Sequence, residues 1–264
     1  MGKKELVVAT ITVRSPSSAN LACKICHGPS VLYGVLDFNH PCEEQKHLRV
    51  PLVGIPIYYR RCETCGFLFT DAFDDWSLDD FKTHIYNGDY QIFDPHYCDE
   101  RPNANAGMVM RIWGPQKTAM RVLDYGGGNG VLCTALRAYG FKEAVTYDPM
   151  VQAYAGQPNG RFDLVTCFET LEHLPDPMDG IGKIVKCVAD PGAVLYSTLI
   201  QPDDIHNYGV AWWYVGPRNG HISIFTKQAL EVAWAKHGFK TVVLNPALHL
   251  AYRNLPPGWN LTMP

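Results

Sequence analysis

The strongest constraint on the fold lies at Val122-Leu123-Asp124-Tyr125-Gly126-Gly127-Gly128-Asn129-Gly130, an apolar run that closes on a carboxylate and then loses almost all its side chains. The residues that follow, Val131 to Tyr139, carry apolar side chains at helical spacing and stop at Gly140. The order is strand, tight turn, helix. Glycine admits positive φ and lets a bound molecule approach the backbone where a side chain would block it, so the turn is expected to hold a ligand. A glycine-rich turn that binds nothing is the alternative.

Spacing and charge narrow the ligand. A dinucleotide fingerprint counted from Gly126 and Gly128 needs a glycine where this chain has Val131. Asp124 at the strand tip would repel a pyrophosphate seated on the helix N-terminus but attract an ammonium or sulfonium group. The pattern D-x-G-x-G-x-G resembles motif I of the class I S-adenosylmethionine (SAM) dependent methyltransferases. That resemblance implies an α/β, Rossmann-like sheet and SAM as cofactor, its amino-acid and ribose parts over Asp124, Gly126, Gly128 and Gly130.

A second strand, Ala144 to Tyr147, ends in Asp148, eighteen residues beyond Gly130. In nucleoside-binding α/β folds an acid at this place accepts the ribose hydroxyls, and Asp148 is expected to do so. Only fourteen positions separate Asp148 from Phe162, so the third strand of the sheet is expected to be short or missing, and no adenine contact is assigned. Phe162 to Pro177 resembles motif IV of the same family, which implies that Cys167, Phe168 and Glu169 line the SAM pocket and that Glu172-His173 begins the next helix. An imidazole there can cap and pack, or it can serve catalysis, so His173 enters as a candidate of both kinds.

A fifth strand is expected over Ala193 to Ile200, after the Pro191-Gly192 turn. Trp213 to Ser223 resembles the W-Y-x-x-P-x-x-G-H-x-S segment of small-molecule members of the family. Gly220 frees the backbone beside His221, whose ordinary pKa of ~6.5 suits taking a proton near neutral pH, so His221 is the expected general base. A core or capping histidine is the alternative. Thr226 should cap a helix over Lys227 to His237, and Lys240 to Asn245 and Ala247 to Arg253 should be the last strands.

The N-terminal part carries a different signal. Cys23-Lys24-Ile25-Cys26 and Cys62-Glu63-Thr64-Cys65-Gly66 are two C-x-x-C pairs, each able to present two thiolates from one tight knuckle to a tetrahedral zinc ion. Four thiolates close the coordination sphere, so the zinc is expected to be structural and the neighbouring His27, Cys42 and His47 are left out. A redox C-x-x-C needs only one pair and a βα turn. With the strand expected over Pro51 to Arg61, the segment is similar to the zinc-binding domain in front of the methyltransferase domain of sugar C-methyltransferases.

Between the two parts, Ser77 with Asp80 three positions on is a capping-box variant that predicts a short helix. The aromatic stretch Tyr86 to Pro102 is expected to cover the pocket of the other lobe. It resembles the Y-x-x-x-Y segment that crosses the SAM site in related enzymes, which implies that Tyr86 and Tyr90 contact the methionine end of SAM; ordinary interlobe packing is the alternative. A helix over Asn103 to Trp113 follows. The expected division is therefore a zinc module over 1–75, a connector over 76–114 and a SAM-binding domain over 115–264.

With 264 residues, 47% of them hydrophobic, the chain can bury a full core. A net charge of −3 with no Lys/Arg run gives no electrostatic footprint for nucleic acid. No apolar run reaches membrane-spanning length, and the N-terminal Leu6 to Val13 alternates too strongly for a signal core, so a cytoplasmic protein is expected. The function that follows is SAM-dependent methyl transfer to a small-molecule acceptor at carbon or oxygen, with a nucleotide sugar or natural-product intermediate implied by the resemblance. A methyltransferase of macromolecules docked through the zinc module, and a non-catalytic SAM-fold binding protein, are the alternatives.

Overall fold

The computed structural model describes residues 11–15, 21–42 and 50–259. Of the alternating stretch Leu6 to Val13 only residues 11–13 are described, and His47 lies outside the described residues. In chain order the strands are β1 (Ser30–Asp37), β2 (Pro56–Cys62), β3 (Leu68–Phe69), β4 (Arg121–Tyr125), β5 (Glu143–Tyr147), β6 (Phe162–Cys167), β7 (Val188–Ser197), β8 (Ser223–Ile224), β9 (Lys240–Asn245) and β10 (Leu248–Tyr252). The helices are α1 (Leu78–His84), α2 (Tyr90–Phe93), α3 (Glu100–Trp113), α4 (Val131–Ala138), α5 (Pro177–Lys186) and α6 (Lys227–Lys236).

The larger sheet has the order β5-β4-β6-β7-β10-β9. β4, β5, β6 and β7 run parallel, and β10 is antiparallel to both of its neighbours. Each parallel step needs a crossover, and ligands in such sheets sit beyond the carboxyl ends of the strands. β5 stands at the edge, and the thirteen residues between Asp148 and Phe162 hold only a 3-10 turn over Gln152–Tyr154, so the third strand is missing among the described residues. The fold is the expected Rossmann-like sheet.

The smaller sheet has the order β1-β2-β3-β8. Its last member comes from the far end of the chain: Leu68 of β3 opposes Ile224 of β8, so this pairing crosses the expected 114/115 boundary. The knuckle cysteines Cys23, Cys62 and Cys65 share one apolar core with Phe67, Phe225 and Trp234. Side chains tie the same two regions: Thr226 donates to the Cys65 carbonyl, Lys236 to that of Ile25 and Gln201 to that of Gly66.

Local signals placed several boundaries. Ser77 and Asp80 form both halves of the capping box that starts α1. Thr226 accepts from the Ala229 amide and starts α6, which ends at Lys236. Elsewhere the boundaries moved. α3 starts at Glu100, and β7 occupies Val188–Ser197, earlier than the expected strand. Glu172-His173 does not begin a helix: it sits in a 3-10 turn, and α5 starts at Pro177 because Asp176 caps it and proline suits the first helical turn. No helix among the described residues is long and apolar enough to cross a membrane.

Candidate active site

The glycine turn after β4 is shaped by what each missing side chain would strike. A Cβ at Gly126 would meet the Thr170 hydroxyl at 2.5 Å, one at Gly127 the Asp124 Oδ2 at 2.3 Å, and one at Gly130 the Tyr154 hydroxyl at 2.8 Å. Gly128 alone of these four has open space where its side chain would be, and its φ of +53° is a left-handed value. The open side of the turn is therefore at Gly128.

Asp124 does not reach that open side. Only 3% exposed, its Oδ1 accepts from the Thr166 hydroxyl at 2.7 Å, and its other oxygen backs Gly127. Burial pushes its carboxyl up to about 7, with the Asp148 charge adding to the shift. Asp124, expected from the sequence to attract a positively charged ligand, packs against the turn behind Gly127. Asp148, at the end of β5, does face the turn: its Oδ2 accepts from the Gly128 amide at 2.9 Å and its Oδ1 from the Met150 amide at 2.8 Å. A carboxylate has about four acceptor sites, so two remain for ribose hydroxyls.

The exit of β6 divides its three candidates. Cys167 is fully buried in the apolar core. Phe168 is half-buried and Glu169 has a φ of +47°, a conformation that costs a non-glycine residue energy and clusters at functional sites. Ser197 at the end of β7 holds Glu169 there, its hydroxyl accepting from the Glu169 amide at 2.8 Å and donating to its carboxylate at 2.6 Å. Burial raises the Glu169 carboxyl to about 7.

Beyond the exit of β6 the chain brings together groups far apart in sequence. His173 Nδ1 lies 3.1 Å from the Gly220 carbonyl, and His221 Nδ1 lies 2.8 Å from that of Tyr214. A carbonyl can only accept, so each Nδ1 carries the hydrogen and each Nε2 keeps its lone pair. The two rings are 4.9 Å apart. His221 is 8% exposed and also lies 3.3 Å from Cys42 Sγ, so it is wedged in the structure and does not swing from a mobile loop. Burial lowers the pKa of both histidines, and that of His221 well below the usual imidazole value.

Tyr86 and Tyr90 lie beside these groups. Tyr86 packs against His173 at 5.8 Å and against Tyr90 at 5.0 Å, and Tyr90 donates to the Asn219 carbonyl. Their contacts are with the histidine-bearing loops, while the connector touches the glycine turn elsewhere, through Asn129 donating to the Cys98 carbonyl. Sequence reasoning missed two members of the site. Glu172 is fully buried with Oε1 accepting from the Tyr214 hydroxyl at 2.7 Å, and burial raises its carboxyl to about 7. The signal was present as an acid beside His173 and a tyrosine in the W-W-Y run.

The four knuckle cysteines form a separate cluster. One Sγ from each of Cys23, Cys26, Cys62 and Cys65 lies within 4.8 Å of the others, with Cys23 and Cys65 at 3.7 Å and Cys26 and Cys62 at 3.4 Å. Thiolates at ~2.3 Å around a tetrahedral zinc would be about 3.8 Å apart, so the donor set fits that ion. Backbone amides of Ile25, Gly28, Thr64 and Cys65 point at the sulfurs, as expected where negative charge gathers.

Comparison with known proteins agrees with this geometry. The family model described as "Methyltransferase domain" matches residues 97–244, more than half of the chain. A ubiquinone biosynthesis O-methyltransferase of Pectobacterium atrosepticum is 31% identical, the match covering 30% of this chain and 42% of that protein. One of Xanthomonas oryzae pv. oryzae is 32% identical over 44% of this chain and 61% of its own length. The chain thus spans less than half the length of the first curated relatives it matches. The crystal structure of TnmH shares the fold, with a TM-score of 0.50 at 15% identity, covering 67% of this chain and 61% of that one. With the sheet order, the open glycine turn and the family model in agreement, the chain belongs to the class I SAM-dependent methyltransferases.

Proposed function

We propose that this protein transfers the methyl group of SAM to an oxygen of a small-molecule acceptor. The observation that carries the reading is the open face at Gly128 beside the Asp148 carboxylate, with Glu172, His173 and His221 gathered on the connector-covered side of the cleft. The names of the sequence relatives favour oxygen as the accepting atom and a metabolic intermediate as the acceptor. A nucleotide sugar is a narrower candidate that rests on the cysteine module's resemblance alone.

In this reading SAM supplies an electrophilic methyl whose leaving group, a neutral thioether, is already good. The protein's work is then alignment, which can contribute up to ~7–11 kcal/mol for a well-oriented pair. Asp148 grips the ribose, the glycine turn seats the amino-acid side, and Tyr86 and Tyr90 exclude water from the reacting end. His221 and His173, held by the Tyr214 and Gly220 carbonyls, stand where they can activate the acceptor hydroxyl. The cysteine cluster holds a structural zinc that stiffens the 1–75 module against α6 and takes no part in the chemistry.

Isothermal titration with SAM, followed by turnover assays on a panel of small hydroxylated acceptors, tests the reading. SAM binding with methylation of an acceptor oxygen is expected. Absence of SAM binding would remove both the enzymatic and the SAM-binding readings, and binding with turnover only on a macromolecule would move the assignment to a docked substrate.

A further inference from the structure

Glu172, His173 and His221 come from two segments almost fifty residues apart, yet one ligating atom of each lies within 4.8 Å of the others. Each is held from behind in the way metal ligands are. The His173 Nδ1 hydrogen is given to the Gly220 carbonyl and that of His221 to the Tyr214 carbonyl, which fixes both rings in the tautomer whose Nε2 can ligate. The Tyr214 hydroxyl holds one Glu172 oxygen, so a single tyrosine orients two of the three groups through its two ends.

The carboxylate itself is the second observation. Glu172 is fully buried, and its Oε2 lacks a partner of hydrogen-bond geometry. The Thr198 hydroxyl, near the same carboxylate, also lacks a partner of that geometry. A buried carboxylate oxygen with an unfilled acceptor position is costly, and such groups are normally paired or coordinate metals.

We propose that Glu172, His173 and His221 form a second metal site, distinct from the four-cysteine cluster, that takes a divalent transition-metal cation. Two imidazoles and one carboxylate suit an ion of intermediate softness such as cobalt, nickel, manganese or zinc. Three protein ligands leave coordination positions open, unlike four thiolates. All three donors lie within 4.8 Å of one another, and ligation by one ion would draw them together.

The role of the ion rests on the methyl-transfer reading. An acceptor hydroxyl bound at an open position gives its proton to water, because the cation lowers its pKa. Its oxygen then bonds to the methyl carbon while the sulfur–methyl bond breaks, and sulfur keeps that electron pair as a neutral thioether. The acceptor class is accordingly one with an oxygen able to ligate a divalent ion.

The test is a titration of zinc-loaded, full-length protein with cobalt(II), read by visible absorption and metal analysis, with SAM affinity measured on the same samples. One further equivalent of cobalt is expected, with weak ligand-field bands and no sulfur charge-transfer band. Glu172→Gln, which keeps an oxygen for the Tyr214 hydroxyl, and His173→Gln should each weaken cobalt binding at least tenfold while SAM affinity stays the same. The site is refuted if wild-type protein takes up cobalt only with a sulfur charge-transfer band, or if both variants bind cobalt as the wild type does. Failure of the wild type to bind SAM would overturn the proposed function and the ion's role in it, and leave the cobalt result to decide the site.

Discussion

Replacing Gly128 with alanine separates a turn that merely bends from a turn that holds a molecule. At this position no heavy atom lies within 4 Å of where the Cβ would sit, so the new methyl strikes nothing in the protein. The φ of +53° costs an L-residue roughly 1–2 kcal/mol, which should appear as a modest loss of folding stability. If SAM lies against this face, the methyl also intrudes on it, and overpacking of a fitted contact costs about 1–3 kcal/mol. That corresponds to a dissociation constant raised about 5- to 150-fold, measurable by isothermal titration well below the melting temperature. Gly127→Ala is the contrasting variant: its Cβ would meet Asp124 Oδ2 at 2.3 Å and Thr146 Cγ2 at 2.8 Å, so its penalty should fall on stability and shrink when Asp124 is also truncated. A Gly128→Ala protein that binds SAM as tightly as the wild type would show that the open face belongs to something else.

Three further outcomes follow from the same geometry. Asp148→Ala should weaken SAM binding at least tenfold, since hydrogen bonds to a charged acceptor are worth about 1.5–3 kcal/mol each; an unchanged dissociation constant rejects the ribose role. The Asp124 carboxyl is raised to about 7 in the folded protein against about 3.9 in an unfolded chain, so the native state holds the extra proton. Stability should therefore fall as pH rises from about 4 through about 7, by at most roughly 4 kcal/mol from this group, and denaturant titrations of Asp124→Asn should show a flatter profile; parallel profiles reject the assignment. Cys62→Ser, or a strong chelator, should release zinc and lower the melting temperature, because a structural zinc contributes directly to folding. Wild-type protein containing no zinc would remove that module's explanation.

Features carried by neighbouring residues were legible in the sequence. The capping box at Ser77 and Asp80, the glycine turn, the acid at Asp148 and the two cysteine knuckles each depend on a few consecutive positions, where spacing alone dictates backbone geometry and reach. The missing third strand was legible too, because thirteen residues cannot carry a helix, a strand and two connections. The side on which a residue acts was less so. Asp124 was placed against the ligand by its position at a strand tip, but the pleat and the neighbouring Thr166 hydroxyl turn it behind Gly127. Cys167 went into the core because β6 is buried on both faces.

The sequence by itself determined the fold class, the glycine turn and the pairing of cysteines into knuckles, since local steric and hydrogen-bonding rules act over a few residues. Tertiary structure alone decided that Tyr214 reaches back to Glu172, that His221 lodges beside Cys42, and that β8 completes the N-terminal sheet. Those contacts span 42 to 179 residues of chain. Only the packing of the two sheets against each other brings such distant segments within hydrogen-bonding distance, and no periodicity in the sequence encodes that approach.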